Sequence, residues 1–138
     1  ELSVPNSSIV LEGHQKAVLH GNFDPKNSNR VLTVSDDKTV RIWDVDNPKN
    51  PKILTGHQDS INYFNFNPKN PNQFLTVSSD KTTKIWDINS SNPLVTLYGH
   101  KGKVVFGNFH PHKNNRILTT SDDRTARIWD ISDKAYQE

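Results

Sequence analysis

Residues 35–44 read Ser-Asp-Asp-Lys-Thr-Val-Arg-Ile-Trp-Asp, and the phrase returns twice. It stands as Ser-Ser-Asp-Lys-Thr-Thr-Lys-Ile-Trp-Asp at 78–87 and as Ser-Asp-Asp-Arg-Thr-Ala-Arg-Ile-Trp-Asp at 121–130. Trp43, Trp86 and Trp129 are therefore 43 residues apart, and Gly13-His14, Gly56-His57 and Gly99-His100 keep the same spacing. Laid without a gap over 50–92, the segment 7–49 is identical at 20 of 43 positions. A fixed period of this length marks a repeat architecture, in which one supersecondary unit buries its faces against copies of itself. The 138 residues thus divide into repeats at 7–49, 50–92 and 93–135.

Outward from the phrase, each repeat reads as short strands separated by turn chemistry. Residues 17–23 form a first strand closed by Asp24-Pro25, with a loop rich in Pro, Asn, Lys and Ser continuing through Asn29. Arg30–Ser35 is a second strand. Asp36-Asp37-Lys38 is a tight turn, because Asp side chains bond neighbouring backbone groups. Thr39–Val45 is a third strand ended by Asn47-Pro48, and Lys52–Thr55 a fourth that leads into the next Gly-His. Nothing has helical periodicity of useful length. Four short strands in about 40–45 residues, with a Gly-His and a Trp-Asp, describe one blade of a β-propeller.

On these motifs the sequence resembles the WD-repeat (WD40) β-propeller family over about residues 7–131. The resemblance implies an all-β fold of propeller blades, each of four antiparallel strands. It also implies a hydrogen-bonded tetrad in each repeat: His14, Thr33, Asp37 and Trp43; His57, Thr76, Asp80 and Trp86; His100, Thr119, Asp123 and Trp129. The physical logic is that a buried indole carries one donor that needs a buried acceptor. A hydroxyl can accept from Trp and donate onward to His, whose other nitrogen is fixed by Asp. All three indoles are expected to be buried.

Read alone, a His with a hydroxyl and an Asp invites a catalytic-triad hypothesis. Two features oppose it. The set occurs three times unchanged, and its hydroxyl lies in a central strand where a nucleophile should stand beside a cleft. His20, His110 and His112 lie outside the tetrads, and the pair His110 and His112 lacks a third or fourth ligand at a recognisable metal-site spacing. No glycine loop suited to cradling phosphate occurs. The sequence therefore calls for no catalytic residues, no metal and no cofactor.

The resemblance places a binding surface on the loops before each first strand and between the second and third. Its positions here are Ala17, Leu19 and Asp36; Ser60, Asn62 and Ser79; Lys103, Val105 and Asp122. A rigid scaffold presenting variable loops is how such folds bind. The set holds no aromatic or arginine anchor of the kind that dominates hot spots, and no group of rings for methyl-lysine. Each Trp-Asp is followed by Val45-Asp46, Ile88-Asn89 or Ile131-Ser132, so the Trp-Asp-x-Arg box of ubiquitin-ligase substrate receptors is missing.

Composition bounds the rest. Hydrophobic residues make up 32% and charged residues 23%, and no apolar run approaches the ~20 residues of a membrane span. Cysteine is absent, which excludes disulfides and thiolate metal sites. Asn6-Ser7-Ser8 and Asn89-Ser90-Ser91 fit the glycosylation sequon, but no secretory leader accompanies them. The expected compartment is cytoplasmic or nuclear. Net charge is +2, with a mild basic drift in the third repeat from Lys101, Lys103, Lys113 and Arg116. Nucleic-acid binding normally shows a denser basic stripe.

These readings converge on a non-enzymatic scaffold that binds other proteins, with a nucleic-acid- or chromatin-associated module as the alternative. Propellers close with ~4–8 blades, and three repeats fall short. Residues 8–11 read as a lone strand of the fourth type, while the last repeat runs out after its third strand into residues 132–138. The expectation is either membership in a larger propeller, as the absence of Met suggests, or strand exchange between copies, two giving six blades and three giving nine.

Overall fold

In a computed structural model, the described residues are 6–113 and 115–131, and they form eleven strands. The first sheet runs β1 (Val18–Asp24), β2 (Asn27–Ser35), β3 (Val40–Asp44), β4 (Lys52–Leu54), in that spatial order. The second repeats it with β5 (Ile61–Asn67), β6 (Asn70–Ser78), β7 (Thr83–Asp87) and β8 (Val95–Leu97). The third holds β9 (Val104–Phe109), β10 (Arg116–Ser121) and β11 (Ala126–Asp130). All pairings are antiparallel. Each sheet is a propeller blade, and the three do not close a ring.

The register follows the period-2 alternation of the central strands. Leu32 pairs with Ile42 and Val34 with Val40 on one face, while Val31 pairs with Trp43 on the other. Both faces of a blade are apolar, so each must meet another blade. On its trailing face, toward the next repeat, the first blade presents Leu32, Val34, Val40, Ile42 and Leu54. These pack on the leading face of the second blade, at Ile61, Phe64, Phe74, Trp86 and Ile88. The second joint repeats the scheme, with Leu75, Val77 and Ile85 against Val104, Phe109, Ile117 and Ile131. Each fully buried side chain of this size contributes roughly 1.5–3 kcal/mol, so the joints are the core of the molecule.

Three expectations are corrected. Residues 8–11 form no strand, and Ile9 and Val10 are exposed. A strand needs a neighbour to take its backbone groups, and among the described residues no strand pairs with them. The first hairpin is tighter than its composition suggests, since β2 begins at Asn27 and leaves only Pro25-Lys26 between strands. Asp24 accepts from the Lys26 amide at 2.8 Å, and Asn27 accepts from that of Asn29 at 3.0 Å. The polar residues at this tip are exposed and need no apolar partner. Finally, Trp129 is only half-buried, whereas Trp43 and Trp86 are buried. In the third blade, no fourth strand covers β11 among the described residues. The part of that repeat at 132–138 lies outside them.

Candidate functional site

The glycine of each Gly-His pair sits at a positive φ, +144° at Gly56, a region that L side chains rarely adopt. The turn carries His57 under the sheet, where three bonds join four residues from separate segments. Trp86 Nε1 donates to Thr76 Oγ1 at 2.8 Å, Thr76 Oγ1 lies 2.7 Å from His57 Nε2, and His57 Nδ1 lies 2.8 Å from Asp80 Oδ2. The first blade has the same set at 2.8, 2.7 and 2.8 Å among Trp43, Thr33, His14 and Asp37. The third has it at 2.8 Å throughout among Trp129, Thr119, His100 and Asp123.

Proton counting orients the chain of bonds. Indole N–H can only donate, so the threonine oxygen accepts from it and gives its single proton to Nε2. That leaves Nδ1–H to donate to the carboxylate, the neutral imidazole tautomer. Burial accordingly pushes the His57 pKa down, against the opposing pull of Asp80. For Asp80, burial works to raise the pKa. It is outweighed by hydrogen bonds from His57, the Thr82 hydroxyl and the Gln58 amide, which hold the carboxyl well below the usual range. Asp37 follows the same balance, with Thr39, Gln15 and His14 as the donors that overcome burial. In the third blade the Thr125 hydroxyl is the largest influence holding Asp123 low.

The structure adds two members that the tetrad does not name. Thr82 donates to Asp80 Oδ1 at 2.6 Å through its hydroxyl and at 2.9 Å through its amide. Ser78 Oγ accepts from the Asp80 amide at 3.0 Å and donates to the Ser60 carbonyl at 2.8 Å. Their counterparts are Ser35 and Thr39, and Ser121 and Thr125. The signal was present, because these residues open and close the Ser-x-Asp-x-Thr part of the repeated phrase.

The nine positions expected at a binding surface gather at one end of each blade. Asp36 donates its amide to the Ala17 carbonyl at 2.9 Å, Ser79 to Ser60 at 2.9 Å, and Asp122 to Lys103 at 3.0 Å. Leu19, Asn62 and Val105 occupy register shifts between Val18 and His20, Ile61 and Tyr63, and Val104 and Phe106. A bulge of this kind leaves one residue unpaired and re-aims its side chain. Leu19 and Val105 are exposed as a result. Asn62 is turned into the joint, where its Nδ2 donates to the Val104 carbonyl at 2.8 Å and to Ser79 Oγ at 3.2 Å. Lys103 and Asp122 form an exposed ion pair at 3.6 Å. The end is thus apolar and acidic on the first blade, neutral and polar on the second, and charge-paired on the third.

The remaining histidines have other surroundings. The His20 ring lies tilted 4.0 Å from Tyr63 and edge-on 4.9 Å from Phe64, and burial lowers its pKa. His110 Nδ1 accepts from the amides of His112 and Lys113 at 3.0 Å, which closes a turn. Among the described residues no group of three or more His, Cys, Asp or Glu is placed to hold a metal ion. No helix among them is long and apolar enough to cross a membrane.

Blades with this strand order and this network define a β-propeller segment of WD type. The profile of the WD domain, G-beta repeat family matches residues 5–44, 48–87 and 91–130, and the chain belongs to that family. Its members serve in general as non-catalytic modules that bind other proteins. Individual relatives match over about one repeat. DNA damage-binding protein 2 of Oryza sativa subsp. japonica is 40% identical over 40 residues, 29% of this chain and 7% of its own length. WD repeat-containing protein 70 of Rattus norvegicus is 42% identical over 41 residues, 30% of this chain and 6% of its own. Nucleoporin Nup37 of Homo sapiens is 41% identical over 46 residues, 33% of this chain and 14% of its own. The chain thus spans only a small part of the curated relatives it matches.

Proposed function

We propose that this chain is a non-enzymatic interaction scaffold, a run of propeller blades that holds a protein partner on the end formed by Ala17, Leu19 and Asp36, Ser60, Asn62 and Ser79, and Lys103, Val105 and Asp122. The observation that carries the reading is the repeated bulge, which puts Leu19 and Val105 into solvent at the same place on two blades. The tetrads act as internal braces. Their threonine hydroxyls have one lone pair and the proton engaged and are screened from substrate, so none is free to attack a carbonyl. Relatives named as a DNA damage-binding protein and a nucleoporin favour the nuclear side of a cytoplasmic or nuclear location.

The test is affinity capture with quantitative mass spectrometry on the intact chain and on Leu19→Asp/Val105→Asp. A control changes the opposite end, at Lys26→Glu/Lys69→Glu. Partners should be lost with the first pair and kept with the second; the same partners on all three would end the assignment. The alternative, a nucleic-acid-associated module, draws on Lys101, Lys103, Lys113 and Arg116. It predicts binding to a random DNA duplex that falls steeply with salt as counterions are released.

A further inference from the structure

The two joints between blades are held differently. The first strands of neighbouring blades face each other, β1 against β5 and β5 against β9, and the second pair is the more closely applied. At the second joint two asparagines tie these strands together. Asn62 Nδ2 donates to the Val104 carbonyl at 2.8 Å, and Asn65 Nδ2 to the Gly107 carbonyl at 3.2 Å. Apolar packing is non-directional, so these bonds supply a fixed register that packing lacks.

At the first joint both ties are missing. The residue 43 positions before Asn62 is Leu19, whose side chain has no polar atom. The counterpart of Asn65 is Asn22, and its Oδ1 accepts from the neighbouring Phe23 amide at 2.8 Å instead of reaching across. Among the described residues, the side-chain bond that does cross lies at the outer strand, where Lys52 Nζ donates to the Ile88 carbonyl at 3.3 Å. The first joint is thus pinned at its rim and untied along its first strands.

Into that untied seam the sequence puts an ionisable ring. His20, Tyr63 and Phe106 hold the same position in the three repeats. Across the second joint Tyr63 lies 4.9 Å from Phe106, a contact between an uncharged phenol and a hydrocarbon ring. Across the first, His20 lies 4.0 Å from Tyr63 and 4.9 Å from Phe64. The strands packed on His20 offer its charged form little. β2 places Val34 opposite it, and β5 brings the two rings. The charged residues on these three strands, Asp24 and Arg30, pair with each other at 3.5 Å toward the far end of the hairpin. Burial therefore lowers the His20 pKa, and no carboxylate acts to raise it.

We propose that the first joint is an acid-operated hinge: protonation of His20 parts β1 from β5, the two blades turn about the contact of Lys52 with Ile88, and the second joint stays shut. In the open joint His20 meets water and titrates at its ordinary 6.5, and in the closed joint it titrates lower. Each pH unit below 6.5 therefore raises the open population over the closed by up to about tenfold, until the closed value is passed. The motion carries Ala17, Leu19 and Asp36 away from Ser60, Asn62 and Ser79, so acid changes the spacing of the loops at that end. The hinge rests on the joints and not on what those loops bind.

The chain has no cysteine, so a single thiol can report on each joint. Ile61→Cys places one in the first joint and Val104→Cys one in the second, at matching positions where the native side chains are buried. Each labelling rate is divided by that of the same variant unfolded in urea at the same pH, which removes the titration of the thiol itself. From pH 7.5 to pH 5.5 the ratio should rise at least about threefold for Ile61→Cys and hold steady for Val104→Cys. Adding His20→Phe should abolish the rise. On the unsubstituted chain, nuclear Overhauser contacts between the His20 and Tyr63 rings should fade over the same range, while those between Tyr63 and Phe106 persist. A flat ratio, an equal rise at both joints, or a rise that survives His20→Phe would overturn the proposal. So would ring contacts that strengthen in acid, with the face of Tyr63 holding the cation. Partner capture through Leu19 and Val105 is read separately at neutral pH, so either reading can fail alone.

Discussion

The second and third blades contain the same network at distances that agree within 0.1 Å, yet they are not equally built. Around Trp86, Ile85 and Leu75 every neighbour is in place, and all three are buried. Around Trp129, Ile128 and Leu118 the geometry of the bonds is unchanged, while the ring is half-buried and the two aliphatic side chains are exposed. The difference separates two jobs. The network is made by one blade from its own strands and sets local geometry. Burial of the trailing face, at Ile85 and Leu75, is supplied by the next blade and adds to the stability. A blade can therefore be correctly shaped and still poorly held.

The sharpest way to break this comparison is to remove the two indoles in turn. Trp86→Ala should cost on the order of 3–5 kcal/mol, the usual range for a large buried ring, and Trp129→Ala clearly less, read from urea unfolding. Their emission should differ in the same sense, with Trp129 red-shifted from Trp86. Equal costs and equal spectra would mean that the third blade is covered after all.

Next comes the network itself. Asp80→Ala strips His57 of its orienting carboxylate in a buried setting and should cost ~1–3 kcal/mol. Acid should act on the same residues in two stages. The folded His57 pKa lies below 6.5, so as pH falls through 6.5 the unfolded chain binds a proton that the folded one refuses. Stability then declines until the folded pKa is passed. The Asp80 carboxyl, held below its ordinary 3.8, adds stability that is complete above that value and is lost as pH falls toward its folded value. Thermal midpoints measured from pH 8 to pH 3 should fall in both windows; a flat profile would contradict the buried neutral histidine.

A smaller effect tests the joint. Thr83 is buried on the trailing face, and its hydroxyl has no hydrogen-bond partner, where the first blade has Val40. Thr83→Val should stabilise by about 1 kcal/mol, and Val40→Thr should destabilise by a similar amount. The corresponding change Ala126→Val, on the open face, should do little in the single chain. The smallest effect lies in the turns. Lys81 holds φ at +77°, a conformation that glycine adopts freely, so Lys81→Gly should leave the thermal midpoint unchanged or slightly raised. Arg124, at +74° in the third blade, should respond alike, because turn strain is local and indifferent to burial by a neighbour.

Most of the fold was legible because it is written three times. The 43-residue period, the Trp-Asp and the Gly-His place eleven strands to within a few residues. What was missed has physical causes. The register shifts at Leu19, Asn62 and Val105 leave no mark in composition, since a bulge is a property of pairing between strands. The early start of β2 was hidden by Asn, Ser and Pro, which signal loops by propensity but sit at an exposed hairpin tip. Residues 8–11 sit in the fourth-strand phase of the repeat and include the β-branched Ile9 and Val10, yet no described strand pairs with them, which no local pattern can reveal. At the candidate surface, sequence position brought the three residues of each blade together, while the commitment of Asn62 to the joint needed the distance to Val104.

The reach of each contact along the chain also orders events in time. The bond between His57 and Asp80 closes a span of 23 residues, and that between Asn62 and the Val104 carbonyl a span of 42. Loop-closure entropy separates these by only roughly half a kcal/mol, too little to decide which forms first. What decides is the number of prerequisites. The histidine bond needs one hairpin and the segment before it, whereas the asparagine bond needs two formed sheets already facing each other. Folding should therefore proceed by locking and then docking, and a substitution at Thr76 should slow the first phase while one at Asn62 leaves it untouched and quickens unfolding instead.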